Sequence, residues 1–237
     1  MAYEKRTRSL LYERFNEFLI MNEEEKAKKI LKILNKIYRT TPIPLKHKNI
    51  FTLLVSVLLS AQCTDLNVNN VTKNIYPQYY KPEHFVKLGR KKIENLIKKI
   101  GIFRIKAKSI YLMSKQLINN HNGKVPKSFE ELEREPGVGH KTASVVMSQG
   151  FGYPAFAVDT HIHRLSQRWG LTDGKNVVQT EKDLKRIFPK NTWSKLHLQI
   201  IYYGREYCKA RNCYGISCKI CTTCYPKRKK PILTKKP

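Results

Sequence analysis

Acidic residues are scarce in this sequence, and their scarcity sets its charge. The 237 residues include 18 Asp and Glu against 46 Lys and Arg, which gives a formal net charge of +28. Such a surplus of one sign destabilises a compact fold by self-repulsion unless a polyanion binds to it. The composition therefore predicts nucleic acid as the partner. Biased codon usage is an alternative source of the many lysines, but it does not explain where the glycines and cysteines lie.

Long hydrophobic segments are also absent. The longest largely apolar run covers residues 50–61, is interrupted by three hydroxyl side chains, and is far shorter than the roughly 20 residues of a membrane-spanning helix. Residues 1–5 show no apolar core of a secretion signal. We therefore expect a cytoplasmic protein with no membrane partner, associated with the nucleoid if it is bacterial. The length allows one domain or two small ones, and we expect a monomer.

Strict alternation of polar and apolar residues is not found, so the sequence does not predict strands. Apolar residues instead recur with helical spacing after Asn22, which pairs with Glu25 as a capping box. Ser128 and Glu131 predict a second capping box, and the apolar run from Ile50 suits a helix at the centre of a bundle. The predicted fold class is all-α, with further helices at about 93–100, 140–150, 160–169, 180–188 and 193–206.

A glycine-rich turn, Pro136-Gly137-Val138-Gly139-His140, separates two of these helices. Gly137 and Gly139 can adopt positive φ and bring their amides close to a ligand, and the helix that begins near His140 adds the positive end of its dipole. The turn therefore predicts a phosphate-binding hairpin. A Pro-Gly-x-Gly turn can also join two helices without any ligand.

Two charged residues beside this turn are candidates for catalysis. Lys141 lies in the first turn of the next helix, where the helix dipole, nearby cations and partial burial would all disfavour its ammonium form. Its amine could then act as a nucleophile. Asp159 lies 18 residues later, at the start of the following helix, where it is also a candidate N-cap. A carboxylate there could stabilise positive charge on a sugar or transfer a proton.

Five of the six cysteines lie close together near the C-terminal end of the sequence, and they predict a metal site. In a reducing compartment such spacing favours metal ligation over disulfides. The five thiols supply one set of four ligands and one spare, for either zinc or an iron–sulfur cluster. They are Cys208, Cys213, Cys218, Cys221 and Cys224.

The combination resembles the endonuclease III family of DNA base-excision glycosylases, which belongs to the helix-hairpin-helix superfamily. Four separated blocks carry the resemblance over roughly residues 28–224: Leu58-Leu59-Ser60-Ala61-Gln62-Cys63-Thr64-Asp65, the hairpin with Lys141, Val158-Asp159-Thr160-His161, and the cysteines. The family implies a two-lobed, all-helical fold. A six-helix barrel domain containing the hairpin would cover 43–153, and a discontinuous [4Fe-4S] domain would cover 21–42 and 154–225. Residues 1–20 and 226–237 would be flexible basic extensions.

The resemblance also assigns roles to single residues. Lys141 would attack the deoxyribose C1′ of a damaged pyrimidine nucleotide, with Asp159 as its essential carboxylate partner, and the resulting Schiff base would permit β-elimination at the abasic site. Gln62 would fill the space left by the flipped nucleotide, and Ile102 would be the apolar wedge beside it; as ordinary structural residues they would be a helix-end polar residue and a core isoleucine. Gly137, Gly139 and His140 would contact DNA phosphates.

Three departures from the family pattern affect these expectations. Glu135 stands in place of an apolar residue and would bring a negative charge near the hairpin, and His140 stands where arginine is common. The family's cysteine intervals are six, two and five residues, whereas Cys208 and Cys218 enclose nine and the last two steps enclose two each. Because the overall span is kept, the predicted cluster ligands are Cys208, Cys218, Cys221 and Cys224, with Cys213 as a possible replacement for one of them.

Two other functions stay open at the level of sequence. The first is a glycosylase of the same superfamily that prefers another base or only hydrolyses the glycosidic bond. The second is a DNA-binding protein without catalysis, in which the cysteines hold a structural zinc and the hairpin only grips phosphates. The joint presence of Lys141 and Asp159 favours an enzyme that acts on duplex DNA.

Overall fold

The computed structural model describes residues 21–237, and these residues form helices and no strand. The all-helical fold class predicted from the sequence is confirmed. The predicted basic extension at 1–20 lies outside the described residues. Labelled in chain order, the α-helices are α1 (Glu23–Ile37), α2 (Ile50–Ser60), α3 (Asp65–Thr72), α4 (Pro82–Leu96), α5 (Phe103–His121), α6 (Phe129–Glu133), α7 (His140–Val145), α8 (Thr160–Trp169), α9 (Val177–Ile187), α10 (Trp193–Glu206) and α11 (Lys219–Cys224).

The described chain divides into two compact units, which we call the central unit and the terminal unit. The central unit comprises 41–157 and 191–194, and the terminal unit comprises 21–40, 158–190 and 195–237. The predicted domain boundaries stay a prediction, because compactness alone does not show that either unit folds independently. No helix between residues 21 and 237 has the length and apolar composition of a membrane span.

Helix α2 lies at the core of the central unit. Every residue from Phe51 to Leu59 is buried, as expected for a helix at the centre of a bundle. Asn49 caps its N-terminus through a capping box with Thr52. Inside the core, the hydroxyls of Ser56 and Tyr76 lie 2.6 Å apart, so the two buried polar groups satisfy each other.

Two helices of the central unit differ from the sequence prediction. Helix α4 ends at Leu96, before the predicted end at Gly101, because the chain turns at Ile97, whose carbonyl accepts from the Ile100 amide at 2.8 Å. Within α4, Gly89 has φ 73° and kinks the helix. The predicted helix at 140–150 is α7 followed by a π-helical turn, Val146–Gly150.

The terminal unit contains α1, α8, α9, α11 and most of α10. The predicted capping box of Asn22 and Glu25 is present at α1. Helix α9 begins at Val177, three residues before the prediction, because Asn176 caps it by accepting from the Gln179 amide at 2.8 Å. Residues 225–237 contain no helix.

The C-terminal segment makes hydrogen bonds within the terminal unit. Arg228 donates to the carbonyl of Arg168 at 2.7 Å, and the Lys235 amide donates to Gln167 Oε1 at 2.7 Å. The amide of Ile232 donates to the carbonyl of Tyr214 at 2.9 Å. The predicted flexibility of residues 226–237 stays a prediction, but these bonds give the segment a defined path along the terminal unit.

Candidate active site and cysteine cluster

The glycine-rich turn joins α6 to α7 in the central unit. Gly137 has φ 82°, and a Cβ at this position would lie 2.8 Å from the side chain of Ser109, so the turn requires glycine here. Gly139 does not use the positive φ open to a glycine, because as the N-cap of α7 it is extended with φ −96°. Within the described part of the chain, no side chain caps this helix, and a Cβ on Gly139 would meet no atom within 4 Å. The first amides of α7 are therefore approachable from solvent.

Lys141 is exposed at the second position of α7. The partial burial expected from the sequence is not found, because the residue is exposed. The neighbouring His140 is also exposed, and its Nδ1 lies 2.7 Å from Glu133 Oε1. Its ring stacks at 6.0 Å from the ring of Phe129. His140 is thus oriented by contacts with α6 on the outer side of the hairpin.

Glu135, just before the turn, is buried. Its residue exposure is 2 %, and neither carboxylate oxygen has a hydrogen-bond partner among the described residues. Among the described residues, His121 is the basic residue within 4 Å of this carboxylate, with Nε2 at 3.5 Å from Oε1. Burial raises the pKa of Glu135 to about 7. Near neutral pH the carboxyl group is therefore only partly ionised, and the negative charge expected beside the hairpin is reduced.

Asp159 is the N-cap of α8 in the terminal unit. Its Oδ1 accepts a hydrogen bond from the Ile162 amide at 2.8 Å, which confirms the capping geometry inferred from the sequence. Asp159 belongs to the terminal unit and Lys141 to the central unit. Their catalytic roles stay predictions.

Gln62 and Ile102 occupy unusual backbone conformations on the surface of the central unit. Gln62 follows the C-terminal end of α2 with φ 55°, and Ile102 precedes α5 with φ 51°. Both are exposed, and Ile102 exposes 51 % of its surface, which excludes a core role for this isoleucine. Left-handed backbone is strongly disfavoured for a β-branched residue, and such strain clusters at functional positions.

Four buried thiols lie together in the terminal unit. The sulfur atoms of Cys208, Cys213, Cys218 and Cys221 are all within 4.8 Å of one another. Cys221 Sγ lies 3.9 Å from Cys208 Sγ and 3.8 Å from Cys213 Sγ. The structure thus joins three of the predicted ligands to Cys213 and leaves Cys224 outside this group. Four buried cysteines are the donor set of zinc and iron–sulfur sites, so these residues fit a four-thiolate metal centre.

Cys224 is buried three residues beyond this group. Burial raises the pKa of its thiol to about 11, although Lys26 and Arg228 oppose the shift. Which four of the five cysteines bind the metal stays a prediction.

Arg168 is a residue at this cluster that sequence reasoning missed. Its guanidinium is buried, donates to Cys208 Sγ at 3.4 Å, and donates to the carbonyls of Lys209 and Ala210 at 2.9 Å each. Arg164, one turn earlier on α8, donates to the carbonyl of Cys208 at 3.1 Å. Two arginines at i and i+4 were the available signal, because that spacing places both on one face of a helix.

Comparison with known proteins gives the family of this fold and site. Residues 55–190 match the model described as HhH-GPD superfamily base excision DNA repair protein. Endonuclease III of Bacillus subtilis is 45% identical over 181 residues, covering 76% of this chain and 83% of that protein. Endonuclease III of Escherichia coli K12 is 40% identical over 210 residues, covering 87% of this chain and 99% of that protein. The chain belongs to the endonuclease III family.

Solved structures agree with this family assignment. A non-covalent endonuclease III–DNA complex matches with a TM-score of 0.82 at 40% identity, covering 86% of this chain and 96% of that one. A trapped endonuclease III–DNA covalent intermediate matches with a TM-score of 0.80 at 40% identity, covering 84% and 94%. The predicted class, a base-excision DNA glycosylase and abasic-site lyase, is confirmed by membership in the endonuclease III family.

Proposed function

We propose that this chain binds duplex DNA containing oxidised pyrimidines or abasic sites, removes the damaged base and cleaves the strand by β-elimination. The net charge of +28 favours a polyanionic ligand. The uncapped amides at the start of α7 form a short cradle for a backbone phosphate, next to an open surface at Gly139. A related endonuclease III has been solved as a complex with DNA, which supports the same ligand here.

Lys141 is the proposed nucleophile, and its exposed position directly after the hairpin is the observation that carries this proposal. A phosphate bound at the hairpin would place the adjacent sugar near this amine. The neutral amine attacks C1′ while the bond to the base breaks, and the base leaves with the electron pair and takes up a proton. Ring opening at O4′ gives a protonated Schiff base. Loss of a C2′ proton then expels the 3′-phosphate, and water hydrolyses the Schiff base to release the lysine.

Asp159 is the proposed carboxylate partner in this reaction. Its Oδ1 accepts from the Ile162 amide, which leaves Oδ2 as the oxygen available to a sugar or a proton. An anion there would stabilise the positive charge that develops on the sugar as the glycosidic bond breaks. The target nucleotide must leave the base stack first, and unstacking costs least at a damaged base.

Borohydride trapping tests the nucleophile. Wild type and Lys141→Gln are incubated with duplex DNA that carries an abasic site or an oxidised thymine, and the reduced covalent adduct is measured. Lys91→Gln, which removes an exposed lysine from α4 of the same unit, is the matched control. We expect adduct with wild type and the control and none with Lys141→Gln. Adduct that survives Lys141→Gln would assign the nucleophile to another amine.

Asp159→Asn separates catalysis from helix capping. Asparagine caps a helix about as well as aspartate, so we expect thermal stability close to that of wild type. Loss of the charge should slow adduct formation by roughly 100-fold or more, the usual contribution of a positioned acid–base or electrostatic group. Unchanged adduct formation would leave Asp159 with only its capping role.

A different base preference is the alternative within the same superfamily. Incision assays on duplexes with oxidised pyrimidines, oxidised purines and mismatched bases distinguish it from the proposed preference. Excision of purines with no strand cleavage would replace the proposed activity with that of a hydrolytic glycosylase. Salt-sensitive duplex binding with no excision of any base would indicate a protein that only binds DNA.

We further propose that the cysteine group holds a [4Fe-4S] cluster, the cofactor implied by the family, with Cys213 as one ligand and Cys224 as the spare thiol. The burial of all four grouped thiols and their closeness, within 4.8 Å of one another, support Cys208, Cys213, Cys218 and Cys221 as the ligand set, and the cluster itself is inferred from the family. A single tetrahedral zinc is the alternative, since four sulfurs at the zinc–thiolate distance would be about 3.8 Å apart, close to the two measured separations of 3.8 and 3.9 Å.

Metal analysis of matched cysteine variants tests both statements. Iron, acid-labile sulfide and zinc are measured in anaerobically purified wild type, Cys213→Ser and Cys224→Ser. We expect about four irons and four sulfides per chain in wild type and in Cys224→Ser, and loss of both in Cys213→Ser. One zinc without sulfide would exclude the cluster. If Cys224→Ser loses the metal and Cys213→Ser keeps it, Cys224 is a ligand and Cys213 is the spare thiol.

A further inference from the structure

Two neighbouring loops of the central unit each carry an exposed residue in left-handed backbone. These are Gln62, after α2, and Ile102, before α5, with φ of 55° and 51°. The loops approach closely, because a Cβ built on Gly101 would lie only 3.8 Å from the carbonyl oxygen of Gln62. Left-handed backbone at two non-glycine residues persists only when surrounding contacts fix it. The contacts of these two loops must therefore hold Gln62 and Ile102 in this conformation.

Lys106 contacts both loops. It lies in α5 with only 3 % of its surface exposed, and its Nζ donates to the carbonyls of Leu59 at 2.9 Å and Ala61 at 2.6 Å. Ala61 directly precedes Gln62. The backbone amide of Lys106 donates to the carbonyl of Ile102 at 3.2 Å. This amide bond is the first i→i−4 bond of α5 and does not depend on the side chain, so the lysine side chain ties the start of α5, which follows Ile102, to the end of α2, which precedes Gln62.

The ammonium of Lys106 is an unusual group for this place. It forms no ion pair within residues 21–237, and its burial lowers its pKa. A buried cation is costly unless it is well hydrogen-bonded. Here it bonds to the last carbonyls of α2, where the helix carries its negative end. An apolar residue would fill this space without the desolvation cost, so the contribution specific to lysine is its donors.

Asn67 forms a second link between the same loops. Its Nδ2 donates to Cys63 Sγ at 3.2 Å and to the carbonyl of Lys99 at 3.1 Å. Cys63 follows Gln62, and Lys99 belongs to the turn that leads to Ile102. The two loops are therefore held together from both sides, by an ammonium at one point and an amide at the other.

We propose that Lys106 is a positioning residue for strand opening, which holds Gln62 and Ile102 together as one rigid wedge that enters the duplex where the target nucleotide leaves it. The proposal rests on the proposed function, in which these two residues contact DNA. It assigns a role to a side chain that touches neither the reacting sugar nor the metal. Rigid placement matters because a wedge about 1 Å out of place can cost on the order of 100-fold in rate.

Three variants distinguish positioning from simple capping of α2. Lys106→Met keeps the chain length but removes the donors, and Lys106→Arg restores donors and charge. Asn49→Ala removes the cap at the opposite end of the same helix, so it controls for helix destabilisation away from the wedge. Circular dichroism and thermal unfolding establish that each variant is folded. If Lys106→Met does not fold, Asn67→Ala, which removes the second link between the loops, is measured in its place.

The decisive readout is the ratio of lyase rates at the same abasic site in duplex and in single-stranded DNA. A single strand has no partner to separate, so it does not need the wedge. We expect Lys106→Met to lose about 10- to 100-fold on duplex and to stay within about twofold on the single strand, with partial recovery in Lys106→Arg. Asn49→Ala should leave the ratio unchanged. Equal losses of Lys106→Met on both substrates, or no loss on duplex, would overturn the proposal.

A binding measurement separates failure of this inference from failure of the proposed function. A 2-aminopurine placed opposite the abasic site brightens when a wedge unstacks it, and this signal needs no catalysis. Brightening with wild type and the Asn49 control but not with Lys106→Met supports the wedge even if wild type cleaves nothing. Equal brightening in all variants, or none with wild type, contradicts it whether or not the lyase is active.

Discussion

The buried carboxyl group of Glu135 makes a strong prediction about stability and pH. We expect the stability of Glu135→Leu relative to wild type to be greater at pH 8 than at pH 5. Burial raises the pKa of Glu135 to about 7, whereas an unfolded chain has the ordinary glutamate value of about 4.3. The folded state therefore holds more protons than the unfolded state between these values, and stability falls as pH rises through them.

The size of the effect follows from this pKa difference. Ionisation of Glu135 should cost the folded wild type roughly 2.5 kcal/mol more at pH 8 than at pH 5. Glu135→Leu lacks this group, so any packing change it causes is constant with pH. For a protein of this size the difference corresponds to about 5–10 °C in Tm between the two conditions. The Tm of Glu135→Leu minus that of wild type should therefore be about 5–10 °C larger at pH 8 than at pH 5.

Thermal unfolding of wild type and Glu135→Leu at both pH values is the assay. A His121→Gln background serves as control, because His121 is the one basic residue between residues 21 and 237 within ion-pair distance of Glu135. A pH-dependent difference that persists in this background belongs to Glu135. The reasoning is refuted if the stability difference between wild type and Glu135→Leu is the same at both pH values.

Three further predictions concern stability and binding. In urea unfolding, Gly137→Ala should lower the free energy of unfolding by about 1 kcal/mol or more beyond the loss in Gly152→Ala. Both glycines have positive φ, but only Gly137 has a side chain 2.8 Å from the new Cβ. Equal losses in the two variants would rule out the clash. Tyr76→Phe should cost about 1–2 kcal/mol in thermal unfolding, because it removes the 2.6 Å partner of Ser56 and leaves that buried hydroxyl with only a 3.3 Å hydrogen bond to the Lys46 carbonyl; a neutral effect would show that the remaining bond satisfies Ser56. Duplex affinity should fall at least about tenfold between 50 and 200 mM salt in fluorescence anisotropy if several lysines contact phosphates.

Local signals in the sequence predicted local structure well. Asn22 with Glu25 gave the start of α1, and Asp159 gave the start of α8, because a cap depends on residues three positions apart. The apolar run after Ile50 predicted a buried helix, because a helix that is apolar on all sides cannot face solvent. The resemblance over four motif blocks led to the family, which the comparisons confirm.

Features set by tertiary contacts were not predictable in this way. The burial of Lys106 depends on carbonyl groups 45 and 47 residues away, which no local pattern reveals. The exposure of Lys141 was missed because the sequence does not show how openly the hairpin presents its helix. Spacing also could not choose four ligands from five cysteines, since their grouping depends on how the loop from Cys208 to Cys218 folds back.

The division of the chain into two units has a consequence for protein synthesis. The main segment of the central unit, residues 41–157, is continuous, whereas the terminal unit needs segments from both ends of the described chain. At usual translation rates the ribosome takes roughly 3–13 s to add the 67 residues from 157 to 224. During this interval the residues of the hairpin and Lys141 have already been synthesised, whereas α1 lacks α11, one of the helices that it contacts. The grouped thiols follow residues 41–157 in the sequence, so the proposed metal centre could form only after the hairpin and Lys141 have been synthesised.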